Sequence, residues 1–258
     1  MQRASRLSPG RTAPTRALIA AALGAMVATA LTVISPTPAW AQGRGAAGTP
    51  PASEPSAEIP ELHVAARNDH ASTVMSLLLK GVDPNVRDAQ RNTALHVAIR
   101  EESGKAFEAL LKSPGTNVMA INQAGETPVM LAAIKGRLDW VQALVAKGAL
   151  INEPGWSALH YAAAGPNEQV VRWLVQQGAE LDARSPNGTT PLMMAAGYGG
   201  LSGAEILIEA GADVTLLNDQ RLSAADFARR AGQDEMADKL DRLAKARAKA
   251  SGAGRTAP

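Results

Sequence analysis

The sequence predicts an all-α fold: a solenoid of stacked helix pairs. Three observations carry this. A pattern recurs about every 33 residues. Aromatic residues make up only 3% of a chain that is 46% hydrophobic, so the core is built from Ala, Leu, Val, Ile and Met, a mixture that favours helix over strand. Four of the second apolar clusters run into a glycine, as a helix C-terminus does.

The period is read from Leu62, Leu95, Val129, Leu159, Leu192 and Ala225, spaced by 33, 34, 30, 33 and 33 residues. Small pairs follow the first five of these anchors: Ala65-Ala66, Ala98-Ile99, Ala132-Ala133, Ala162-Ala163 and Ala195-Ala196. Small residues let a neighbouring helix approach closely. A second apolar cluster then ends at Gly81, Gly148, Gly178 and Gly211. One such helix pair cannot hide its apolar face alone, so the pairs must stack.

The motifs TALHVAI (93–99), TPVMLAA (127–133), SALHYAA (157–163) and TPLMMAA (190–196) resemble the TPLHxAA signature of ankyrin repeats. GVDPN (81–85), GALIN (148–152), GAELD (178–182) and GADVT (211–215) are similar to the GADVN segment of that family. The resemblance covers residues 58–244. It implies about five repeats plus a C-terminal cap, with short β-turn fingers joining the pairs. It also implies that partner proteins are bound by the finger tips and the first helices, and that the histidine of the signature braces the turn.

Two departures from the pattern matter. The first unit, EIPELHVAARNDH, lacks the Thr-Pro start, and the last replaces the signature with SAADFAR and has a charged second helix, as end caps do. Between Asn152 and Gly155 the junction is three residues shorter than its counterpart from Asp182 to Gly188. A notch in the row of fingers is expected there.

The flanks read differently. Residues 1–41 hold Arg3, Arg6, Arg11 and Arg16, an uncharged run from Ala17 to Ile34, and a small-residue end at Ala39-Trp40-Ala41. This predicts a signal peptide cut after Ala41 and a periplasmic protein. The 18-residue run would be about 27 Å long as a helix, barely a membrane core, so no stable membrane insertion is expected after cleavage. Residues 42–57, rich in Gly, Pro, Ala and Ser, read as a flexible linker. Residues 245–258 read as a basic disordered tail. Losing residues 1–41 takes the basic count from 26 to 22 against 24 acids, so net charge gives no case for nucleic acid.

Catalytic and metal readings find little support. There is no cysteine, no GxSxG, no phosphate loop and no HExxH. His63, His96 and His160 recur at one repeat position, which places them in separate units rather than around one ion. GYGGLSG (197–203) lies between two helices with no preceding strand. The expectation is a monomeric, non-catalytic scaffold that needs no cofactor and binds another protein. Trp156 and Tyr198 are the predicted hot spots, because large aromatics bury much area at little entropic cost. Arg100, Glu101, Glu126, Lys135, Asn187 and Gln220 are placed around them. Trp140 and Trp173 fall among second-helix aliphatics and read as packing. The alternative function is an immunity or inhibitor protein that blocks a secreted toxin or hydrolase.

Overall fold

A computed structural model describes residues 60–253, with side chains to residue 250. The predicted signal peptide and linker lie outside the described residues, as do residues 254–258. The described residues form twelve helices and no strand. In chain order these are α1 (Glu61–Arg67), α2 (Ala71–Leu79), α3 (Ala94–Arg100), α4 (Gly104–Lys112), α5 (Pro128–Ile134) and α6 (Leu138–Ala146). They continue as α7 (Ala158–Ala164), α8 (Glu168–Gln176), α9 (Pro191–Tyr198), α10 (Leu201–Glu209), α11 (Ala224–Arg230) and α12 (Asp234–Ala253).

The odd-numbered helices stack one on the next, and each packs on the even-numbered helix that follows it. The alanine pairs make this stack possible. Ala66, Ala98 and Ala132 are fully or almost fully buried, as are Ala163 and Ala196. Each second helix contributes a buried leucine at one repeat position: Leu77, Leu110, Leu144, Leu174 and Leu207. Phe107 fills the layer between α4 and α6 by stacking on Trp140, with ring centroids 4.5 Å apart. Trp140 is buried and Trp173 half-buried, in keeping with the packing role expected of them.

The fingers between helix pairs span residues 86–93, 119–127, 152–157, 183–190 and 216–223. Four share one bonding pattern. The Asp88 N–H donates to the Asn92 carbonyl at 3.0 Å, and the Asn122 N–H to Glu126, Ser185 to Thr189 and Asn218 to Leu222 do the same. The turn inside each is held from Arg91, Gly125, Gly188 or Arg221, all at positive φ. The third finger has neither bond among the described residues, which is the expected notch.

The predicted basic disordered tail is corrected over residues 245–253: α12 runs on to Ala253. The run AKARAKA is made of strong helix formers, so helix propagates through it. Arg247 also reaches back, its guanidinium donating to the Ala212 carbonyl at 3.4 Å and lying 3.8 Å from Asp213. Met236, Ala237 and Leu240 bury one side of α12.

Candidate functional site

The signature histidines fasten the finger row to the first helices. His96 is fully buried on α3; its Nδ1 accepts from the Thr93 N–H at 3.2 Å and its Nε2 donates to the Glu126 carbonyl at 3.1 Å. His160 does the same on α7, between the Ser157 N–H (3.1 Å) and the Thr189 carbonyl (3.0 Å). An accepting Nδ1 fixes the proton on Nε2. Each imidazole therefore joins its own helix start to the next finger. Burial pushes both down to a pKa of about 4, so both are neutral. His63 donates to the Asn92 carbonyl at 2.8 Å, but its Nδ1 has no partner, because Pro60 stands where the other repeats offer an N–H. Met130 and Met193 replace the histidine in the remaining two repeats.

Adjacent fingers are joined in pairs. The Gln123 N–H donates to the Gln90 carbonyl at 2.9 Å, and Arg87 donates to the Ile121 carbonyl at 2.7 Å. Three solenoid steps further on, between the fourth and fifth fingers, the Asp219 N–H donates to the Asn187 carbonyl at 3.1 Å, and Arg184 to the Leu217 carbonyl at 2.8 Å. Among the described residues, no matching bond ties the short third finger to either side. The row is thus two bonded pairs flanking a gap.

Trp156 stands in that gap. Sequence reasoning placed it as an exposed anchor; the structure makes it half-buried. Its ring meets His160 at 5.3 Å and Tyr161 at 6.4 Å, both nearly perpendicular. Tyr198 is likewise half-buried, edge-to-face with Phe227 at 6.5 Å. Trp156 packs on rings of its own repeat, whereas Tyr198 packs on a ring of the next. Part of each ring is already used by the fold, which leaves less area for a partner than full exposure would.

The predicted polar residues divide the same way. Glu126 is the centre of a small network. It accepts from Asn122 Nδ2 at 2.8 Å and from the Tyr161 hydroxyl at 3.4 Å, and Arg100 lies 3.6 Å away. Burial and the Glu126 charge push the Tyr161 hydroxyl far above its usual pKa, so it stays a donor. Lys135 pairs with Glu102 at 3.3 Å. The Asn187 side chain closes the fourth finger from within, accepting from Ser185 Oγ at 2.6 Å. Glu101 and Gln220 are exposed. Tyr161 was missed. Tyr161 occupies the variable position of LHxAA, and that position packs on the preceding repeat, which a single motif does not reveal. Among the described residues, no three histidine or acidic side chains gather where they could hold a metal ion.

A family model for ankyrin repeats (three copies) matches residues 62–154 and 149–218, more than half of the chain. The chain belongs to the ankyrin-repeat family. It is 32% identical to human neurogenic locus notch homolog protein 1 over 137 residues, which is 52% of this chain and 5% of that protein. It is 32% identical to the chicken nuclear factor NF-kappa-B p105 subunit over 168 residues, 62% of this chain and 17% of that protein. The chain therefore spans only a small part of these curated relatives. Among solved structures, the ankyrin repeat domain of Bcl-3, described as a member of the IkappaB protein family, aligns with a TM-score of 0.56 and 31% identity. That match covers 66% of this chain and 78% of the Bcl-3 domain. Ankyrin repeats mediate protein–protein interaction, and the family is typically non-catalytic.

Proposed function

We propose that this ankyrin-repeat protein is a non-catalytic scaffold of the periplasm, binding a partner protein on the surface made by its fingers and first helices. The observation that carries this is the gap in the finger row. Trp156 stands there with part of its ring free, bordered by the Arg100–Glu126–Tyr161 network. Aromatic and arginine side chains are the residue types that most often dominate interface energy. The export half rests on the positive, apolar and AxA segments of residues 1–41.

Affinity capture from periplasmic extract tests the reading. The intact protein is expected to retain a partner that the folded Trp156→Ala/Tyr198→Ala variant releases, at a cost of about 2 kcal/mol or more for a true hot spot. Equal retention by both proteins sinks the site. N-terminal sequencing of exported protein tests the location, with Gln42 as the expected first residue.

A further inference from the structure

The second helix of the last repeat is longer than its packing needs. α2, α4, α6, α8 and α10 have nine residues each, and α12 has 20. Met236, Ala237 and Leu240 are buried, whereas residues 245–250 are exposed throughout. Charge changes sign where the packing ends. Residues 42–241 hold 17 basic and 24 acidic side chains; residues 242–258 hold five basic and none acidic.

The cations of α12 fall into two groups. Lys239 and Arg247 turn back to the repeats, pairing with Glu205 and Asp213. Arg242, Lys245 and Lys249 are exposed and pair with no acid among the described residues. Steps of three and four residues put these three on one stripe. At about 100° per residue, that stripe lies opposite the face formed by Met236, Ala237 and Leu240, so it points away from the solenoid. Ala246 and Ala248 flank it, and neither is bulky enough to hold a flat surface off the cations. The helix dipole does not account for the stripe. Its pull is confined to the last turn, and the last turn of α12 holds no cation.

We propose that Arg242, Lys245 and Lys249 form a docking surface for the anionic headgroups of a phospholipid bilayer, holding the repeats at a membrane surface. A straight stripe about 10 Å long meets a flat plane of phosphates with all three cations at once. Sites for single-stranded nucleic acid stack bases on aromatic rings, and α12 has none. The stripe also lacks the large apolar side chains that enter the acyl boundary, so the attachment is electrostatic and reversible. The acidic remainder of the chain is repelled by the same surface, which leaves the end of α12 to lead. This docking is independent of what the finger row binds.

Co-sedimentation of the exported protein with vesicles tests it. Vesicles of equal parts phosphatidylglycerol and phosphatidylcholine should bind about a hundredfold more tightly than phosphatidylcholine alone, at about fivefold for each of three cations. Raising the salt from about 0.1 M to about 1 M, which cuts the screening length from about 10 Å to about 3 Å, should release the protein. Arg242→Gln/Lys245→Gln/Lys249→Gln should lose the preference, with an unchanged thermal melt because all three side chains are exposed. Arg67→Gln/Lys80→Gln/Lys105→Gln removes the same charge from exposed positions of the first two repeats and should keep the preference. Equal binding to both vesicles, a preference that survives the α12 substitutions, or equal loss in the two variants overturns the proposal. Tighter binding to duplex DNA at equal phosphate concentration, lost with the α12 substitutions, overturns the assignment to lipid.

Discussion

Acidification from pH 7 to pH 5 should remove stability through His96 and His160. Both are fully buried and neutral, with pKa held at about 4 mainly by burial, against 6.5 for an exposed histidine. Between these values the unfolded chain binds more protons than the folded one. Stability is therefore complete above about pH 6.5, falls as the pH drops toward 4, and levels off below that. At pH 5 each histidine has lost roughly 2 kcal/mol, so the pair has lost about 4. Carboxylates titrate in part of this range, so the assay needs an internal control. The repeat supplies one, because Met130 and Met193 occupy the same position in two other units. Urea denaturation of the parent and of His96→Met/His160→Met at pH 7 and pH 5 separates the contributions. The variant should start lower at pH 7, by about 1 kcal/mol for each lost finger bond, and then lose far less on acidification. An identical pH 7-to-5 loss in both proteins would refute the argument that these imidazoles are buried and neutral.

Leu144→Ala, at a fully buried position of α6, should cost about 3 kcal/mol in the same assay. Gly199→Ala should be worse tolerated than Gly178→Ala. A Cβ at residue 199 would lie 2.0 Å from the Ala163 carbonyl oxygen, a backbone atom that cannot move aside. At residue 178 the space is open and only the φ of +82° is strained, about 1 kcal/mol. Thermal melts of the two variants compare them directly. Arg184→Met cuts an exposed tie between the fourth and fifth fingers and should change global stability by under about 1 kcal/mol, while speeding amide exchange at Asp219. Deleting residues 245–258 should also cost under about 1 kcal/mol, because the Arg247 contacts it removes, a 3.8 Å ion pair with Asp213 and a 3.4 Å bond to the Ala212 carbonyl, are long and partly exposed.

The sequence by itself determined the helix pairs, their number and the short finger. These follow from local spacing, small-residue pairs and glycine position, all of which act within one repeat. The shared histidine position was also legible, since its recurrence excludes convergence on one centre. What only the tertiary structure decided is how one repeat meets the next. Val64 and Val97 are the same residue at the same repeat position, yet Val64 is 41% exposed and Val97 5%, because no helix pair precedes α1 among the described residues. A contact across repeats joins Tyr161 to Glu126, and His160 and Tyr161 in turn pack on Trp156, which sequence reasoning took as open surface. Contact across repeats also decides the pairing at the end of α12, where Arg247 finds Asp213. Burial and pairing in a solenoid are set by neighbours some thirty residues away, so a motif specifies a unit while stacking specifies its surface.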